Sequence, residues 1–236
     1  MSKITIYHGS DHIIEKPDIN KGKKYNDYGQ GFYCTEDLEL AKEWACKTGK
    51  DGFVNEYELN TAGLAILNLN SNGYTILNWI ALLLKYRTFT LDNEIQRQAR
   101  DYIINNFSID TTNFDIIIGY RADDSYFSFA ESFVSNTLPL STLNKALRLG
   151  NLGEQVALVS EKAFNCITFK KAETVERKIY HPKFKKRDLK AREDYKKYRN
   201  SLAHGQINIT DEIFVLDIIR QEMKNNDPRI QRIISE

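Results

Sequence analysis

The chain opens with Ile4 and Ile6 set between polar neighbours, an alternation that predicts a strand from Lys3 to His8. A polar, Gly-bearing stretch from Lys21 to Gln30 reads as a loop, and Gly31-Phe32-Tyr33-Cys34 as a short strand. Thr35 stands where an N-cap belongs, with Glu36 and Asp37 placed to suit a helix dipole, so a helix is expected from Asp37 to about Lys47, burying Leu38, Ala41, Trp44 and Ala45. Phe53, Asn55, Tyr57 and Leu59 share one side of a following strand, and Ile66 to Leu69 reads as another. Helices are expected at about Tyr74 to Tyr86, apolar nearly all round and therefore buried, and Asn93 to Phe107. The Ile-rich run from Phe114 to Gly119 predicts a buried strand, Ser125 to Ser135 and Leu140 to Arg148 two helices, and Gln155 to Val159 and Ile167 to Lys171 two more strands. Beyond them Ala191, Tyr195, Tyr198 and Leu202 fall on one helical face, and Ile213, Leu216, Ile219 and Met223 on that of a last helix. Strands mix with helices without a regular βαβ alternation, which points to an α+β fold rather than a doubly wound sheet.

Length and composition leave that picture in place. The chain has 236 residues, 42% of them apolar and 28% charged, enough for a core that needs no disulfides. Cys34, Cys46 and Cys166 are odd in number and widely spaced, which argues against a disulfide framework or a structural zinc site and for a reducing, cytoplasmic setting. No secretory leader is visible, and the most apolar stretch, Ile76 to Leu84, is too short to span a bilayer, so no membrane partner is expected. His12 and His181 have no partner at metal-ligand spacing, and no metal is expected. Charge does change the picture: the net value is +1, but Lys170 to Arg199 carries thirteen Lys or Arg against five Asp or Glu, a local +8 that leaves −7 elsewhere. Such a stretch reads either as a solvated helix face or as a surface for an acidic partner.

Three places carry candidate chemistry. Tyr7-His8-Gly9-Ser10 ends the first strand, Gly29-Gln30-Gly31-Phe32-Tyr33 leads into the second, and Gly153-Glu154-Gln155 opens a late one. Each is weak alone: a histidine after a strand is commonly structural, a Gly-x-Gly is commonly a turn, and the third glycine of a dinucleotide fingerprint is missing.

Together and in this order the motifs resemble the ADP-ribosyltransferase superfamily, in its diphtheria-toxin-like and poly(ADP-ribose) polymerase branch. In that branch a first strand ends in His-Gly-Ser or His-Gly-Thr, and a Gly-x-Gly-hydrophobe-Tyr motif precedes a helix with a second aromatic eleven residues on, here Trp44. A longer resemblance, over about residues 3 to 171, is to the bacterial and phage-associated family catalogued as domain of unknown function 3990. It rests on Tyr7-His8-Gly9-Ser10, Asp27 through Thr35, Val54-Asn55-Glu56-Tyr57, Phe114 through Gly119 with Ala122-Asp123-Asp124, and Gln155 through Phe169. The resemblance implies a split mixed β-sheet core with flanking helices, an NAD-binding domain over 1–175, and a basic helical extension over 176–236 packed on it.

It also implies NAD⁺ as co-substrate and a reaction that cleaves the nicotinamide–ribose bond and transfers ADP-ribose to a macromolecule, nucleic acid or protein, in a cell that holds a small antitoxin protein beside this toxin-like chain. His8 is expected to bond the adenosine ribose, Gly9 to offer its backbone to the nicotinamide amide, and Tyr33 to stack on the ring with Trp44 as a second wall. Tyr7, Ser10, Gly31, Phe32 and Thr35 complete the expected NAD⁺ cradle. Where the superfamily places a catalytic Glu, this sequence offers Gln155 with Glu154 beside it; adjacent strand residues face opposite ways, so only one can serve. Asp123 or Asp124 is a candidate for the missing negative charge, or else a solvated turn. Hydrolysis of NAD⁺ and a degenerate binding module are the alternatives. Arg199-Asn200-Ser201-Leu202-Ala203-His204 also resembles the Arg-polar-x-x-x-His motif of HEPN ribonucleases.

Overall fold

A computed structural model describes residues 3–71, 73–122, 124–149, 153–203 and 212–235. The chain divides into two compact units, each assembled from three stretches: residues 1–70, 110–121 and 153–187 form the first, and 71–109, 122–152 and 188–236 the second.

The first unit holds every strand found among the described residues. β1 (Lys3–Ser10), β3 (Gly52–Asn60) and β7 (Ile167–Val175) form an antiparallel sheet with β3 in the middle. β2 (Phe32–Cys34), β6 (Glu154–Leu158), β5 (Ile116–Tyr120) and β4 (Ile66–Asn68) form a second sheet in that order, antiparallel except for the β5–β4 pair. The sheets join at one point, where the Tyr7 and Thr35 backbones exchange N–H···O bonds of 2.7 and 3.0 Å.

Period-two alternation determines what each face buries. Ile6, Tyr57 and Leu59 from the first sheet meet Phe32, Cys34, Ile116, Val156 and Leu158 from the second in one core, and the Phe32 ring stands edge-on to Tyr57 at 5.5 Å between centroids. Burying a side chain of this size stabilises by roughly 1.5–3 kcal/mol. On the opposite face of the first sheet, Val54 and Val175 pack under helix α1 (Leu38–Ala45) with Ala41, Ala45 and Cys46. The helix begins one residue later than expected, at Leu38, and Asp37 rather than Thr35 caps it: the Asp37 carboxylate accepts from the Leu40 N–H at 3.1 Å. Thr35 is instead the buried junction between the sheets. β7 runs four residues past its expected end, through the charged Lys171 and Glu173, because an edge strand keeps one side in water. A short helix α6 (Glu161–Phe164), absent from the expected elements, follows β6. Its cap Ser160 donates to Asp115 Oδ1 at 2.6 Å, while Asp115 Oδ2 accepts from the Ala65 N–H at 2.8 Å.

The second unit is helical: α2 (Ile76–Tyr86), α3 (Glu94–Phe107), α4 (Asp124–Val134), α5 (Leu140–Leu149), α8 (Val215–Arg220) and α9 (Pro228–Ser235), with the end of α7 (Arg177–Ala203). α2 buries every residue from Ile76 to Leu84, as its apolar composition predicts. Thr75 caps it, with Asn78 bonding back to the cap. The single last helix expected around Ile213 to Met223 is shorter: Ile213 and Met223 are buried but lie outside α8, and α9 follows. The fold is thus α+β, with mixed sheets and flanking helices. Among the described residues no helix is long and apolar enough to cross a membrane.

Candidate functional site

The junction of the sheets gathers most of the residues singled out in the sequence. His8 shares the core-facing side of β1 with Ile6, and its imidazole lies on the Phe32 ring, 4.4 Å between centroids. Its Nδ1 bonds the Tyr33 carbonyl at 2.7 Å. A carbonyl only accepts, so Nδ1 carries the proton and Nε2 is left as an acceptor. No described residue bonds Nε2. Burial outweighs the Tyr33 hydrogen bond and holds the imidazole below its ordinary pKa of 6.5, with His12 adding repulsion; the ring is therefore neutral at pH 7.

Tyr33 meets His8 through its backbone, and alternation sends its ring to the other face of β2 from Phe32 and Cys34. There its hydroxyl donates to the Gly29 carbonyl at 2.7 Å and accepts from the Tyr28 N–H at 3.0 Å, and the Tyr28 ring lies nearly parallel to it, 6.4 Å away. The phenol is therefore held by the loop of the Gly-x-Gly motif, where Gly29 takes a φ of 84°. Gly31 is required for a different reason: a Cβ there would stand 2.5 Å from the Leu158 carbonyl oxygen.

Gly9 is likewise a packing glycine. A Cβ on it would lie 2.0 Å from the Ala41 oxygen and 2.6 Å from the Ala45 nitrogen, so only glycine lets α1 approach β1. That approach sets Trp44 beside Gly9, with its Cβ 3.0 Å from the same point. The Trp44 indole Nε1 is buried with no acceptor, and the Arg121 guanidinium stands 4.6 Å from the indole centroid. Tyr7, on the Gly9 side of β1, packs with the cluster under α1.

The strand β6 separates the two candidates at its start. Glu154 is exposed and accepts from Asn70 Nδ2 at 2.6 Å. Gln155 is buried, on the same face as Tyr33 because Tyr33 pairs with Ala157 two residues on. Its Nε2 donates to Asp27 Oδ2 at 2.8 Å and to the Tyr120 carbonyl at 3.1 Å. The Tyr28 hydroxyl donates to that same carbonyl at 2.7 Å, passing over Gly119, where any Cβ would meet it at 2.4 Å. Asp123 lies outside the described residues, and so does the side chain of Asp124, which begins α4. His204 and the Arg199 side chain also lie outside them.

Several contributors carried no individual sequence signal. Asn55 is fully buried; its Nδ2 faces the His8 carbonyl, Ser10 Oγ and the His12 carbonyl at 3.2, 2.9 and 3.4 Å, and its Oδ1 accepts from the Ile14 N–H at 2.9 Å. It shapes the segment after β1, and it engages the Ser10 hydroxyl, which donates to the His12 carbonyl at 2.6 Å. Asp27, Tyr28 and Asn55 sat inside motifs whose spacing was visible, but their partners are distant in sequence. Arg121 followed only from the tertiary structure.

Near α1 the basic stretch is partly neutralised. Arg187 makes a two-pronged pair with the buried Glu43 at 2.9 and 2.8 Å, and Glu39 takes Lys183 at 2.9 Å and the Tyr180 hydroxyl at 3.1 Å. Lys178, Lys185 and Lys186 remain exposed. Among the described residues no group of three His, Cys, Asp or Glu is placed to hold a metal ion, and the three cysteines are free.

Fold and cluster together define an α+β protein whose polar and aromatic side chains converge where two sheets touch. The chain belongs to the DUF3990 family, described as a protein of unknown function, whose family model matches residues 4–169. Searches of the curated proteins and of the solved structures find no match.

Proposed function

We propose that this protein binds NAD⁺ and transfers its ADP-ribose to a macromolecule. The observation that carries the reading is the coupling of the first two motifs to each other and to α1: His8 bonds the Tyr33 backbone, and Gly9 lies against the turn of α1 that bears Trp44. His8 Nε2 and the Trp44 N–H, which have no partner among the described residues, suit a dinucleotide. His8 Nε2 accepts from a ribose hydroxyl, and the Trp44 indole N–H, whose burial without an acceptor costs about 1–3 kcal/mol, gains one from the ligand. The half-buried Tyr33 ring offers a face to a planar pyridinium. Arg121 places a cation beside Trp44 for the diphosphate.

The protein's part in the chemistry is to hold and to stabilise. The bond between ribose C1′ and the nicotinamide nitrogen breaks with its electron pair moving to the ring, which leaves neutral. The ribose carries the positive charge until a nucleophilic atom of the acceptor bonds C1′ and gives its proton to solvent. His8 is neutral and so adds no opposing charge to that state.

The test is to mix the protein with NAD⁺ labelled in its adenosine and with a total cell extract. Label appearing on RNA, DNA or protein supports transfer and names the acceptor class. Free ADP-ribose alone redirects the reading to hydrolysis, and binding without turnover to a non-catalytic module. His8→Ala and Tyr33→Ala are expected to abolish labelling, while Arg199→Ala and His204→Ala leave it; the reverse pattern overturns the reading in favour of a ribonuclease. Growth arrest on expression in bacteria, relieved by a small neighbouring protein, is expected if the protein acts as a toxin.

A further inference from the structure

The buried pair Asp27–Gln155 stands in the candidate site with more order than packing alone requires. Both side chains are more than nine-tenths buried, at 6% and 4% exposure. Both partners of Gln155 Nε2, the Asp27 carboxylate and the Tyr120 carbonyl, are acceptors only. The amide therefore has one orientation: nitrogen toward Asp27 and Tyr120, oxygen away. The oxygen, Oε1, has no hydrogen-bond partner among the described residues. It is also not one of the side-chain atoms buried without a partner among the described residues, which are Trp44 Nε1, Asn70 Oδ1 and Thr142 Oγ1. Gln155 Oε1 thus reaches the surface on the side of the sheet that carries the Tyr33 ring.

We infer that Asp27 is a positioning residue that makes Gln155 act in place of a carboxylate, an inference that rests on the NAD⁺ reading. A reaction that develops positive charge on a ribose needs negative charge nearby. Gln155 is neutral, and Glu154 is turned outward to Asn70. Asp27 supplies the charge one bond removed. An amide whose N–H groups both donate, one of them to an anion, gathers electron density on its oxygen. It presents that oxygen and never its NH₂ to a ribose hydroxyl, which donates to it. The loop carrying Asp27 is itself tied to Tyr33 through the Tyr28 N–H and the Gly29 carbonyl, so the ring and the polarised oxygen are held by one short segment.

The test exchanges acid and amide. Asp27→Asn keeps the size and removes the charge; it is expected to lower kcat for NAD⁺ cleavage by about 10- to 100-fold, with KM for NAD⁺ changed less than about threefold. Gln155→Glu alone sets two carboxylates face to face and lowers activity too. The double variant Asp27→Asn/Gln155→Glu rebuilds the 27–155 hydrogen bond with roles reversed, though not the bond to the Tyr120 carbonyl, and is expected to recover at least about tenfold of the kcat lost in Asp27→Asn. Asp27→Asn with parental kcat, or a double variant no more active than Asp27→Asn despite a parental melting temperature, overturns the inference and leaves the NAD⁺ reading standing. A parent protein that neither binds nor cleaves NAD⁺ overturns both. Should Asp27→Asn fold poorly, the double variant decides, because it retains the pair: recovery supports the inference and its absence refutes it.

Discussion

The two units treat buried polar groups differently. In the helical unit Thr75, Asn78 and Asn144 finish secondary structure, whereas Thr142 Oγ1 is buried without a partner among the described residues. Thr75 and Asn78 cap α2, Asn78 Nδ2 donates to the Phe107 carbonyl at 2.8 Å, and Asn144 donates to the Ile233 carbonyl at 3.0 Å. Each closes a helix end or ties one helix to another. In the sheet unit, Asn55, Asp27 and Gln155 bond loops and strand ends far apart in the chain. There, among the described residues, His8 Nε2 and Gln155 Oε1 are left as acceptors with no donor, and Trp44 Nε1 as a donor with no acceptor. Saturated polar groups mark scaffold, and organised groups with one side left open mark a place for a ligand.

The comparison is most directly broken at the residues proposed to meet NAD⁺. His8→Ala and Tyr33→Ala are expected to lower ADP-ribosyl transfer by about 100-fold or more, read as label incorporated per minute. Next in size is Gly9→Ala. A Cβ 2.0 Å from the Ala41 oxygen forces α1 away from β1, and a loss of about 3 kcal/mol is expected in urea unfolding. Asn55→Ala leaves the Ile14 N–H and several carbonyls without their partner and is expected to cost about 2–3 kcal/mol, with activity lost as the segment after β1 loosens. Thr75→Ala in the helical unit is the matched control: about 1 kcal/mol of stability, with transfer unchanged below the melting point. An activity loss there equal to that of Asn55→Ala removes the distinction between the units.

The smallest expected effect is on pH. His8 has a folded pKa below its ordinary 6.5, so as the pH falls the unfolded chain takes up the proton first. The His8 contribution therefore leaves stability untouched above about pH 7 and lowers it as the pH drops through 6.5 toward the folded value. Subtracting the unfolding curve of His8→Gln from that of the parent should isolate this slope, and a flat difference contradicts a half-buried imidazole held proton-free.

Much of the sheet unit was legible in the sequence because period two leaves a strong mark. Ile4 and Ile6, Asn55 to Leu59 and the Ile run before Gly119 all fold as their alternation or apolarity predicts. Caps and ends were less legible. Thr35 and Asp37 both satisfy the local cap preference, and the pairing of Thr35 with Tyr7 settles the choice. β7 continues through charged residues that composition alone ends too soon. The site was legible as three motifs but not as a network. Nothing local says that Gln155 reaches Asp27, 128 positions away, or that Gly9 is there to admit a helix. Which of Glu154 and Gln155 turns inward depended on the register of β6 against β2, a tertiary fact.

The central claim is that NAD⁺ sits against His8, Tyr33 and Trp44. Isothermal titration of the protein with NAD⁺, beside His8→Ala and Tyr33→Ala variants checked for parental melting temperature, tests it most directly. Saturable one-to-one binding by the parent, weakened about tenfold or more in each variant, is the result expected. Absence of binding by the parent, or equal affinity in all three proteins, contradicts it.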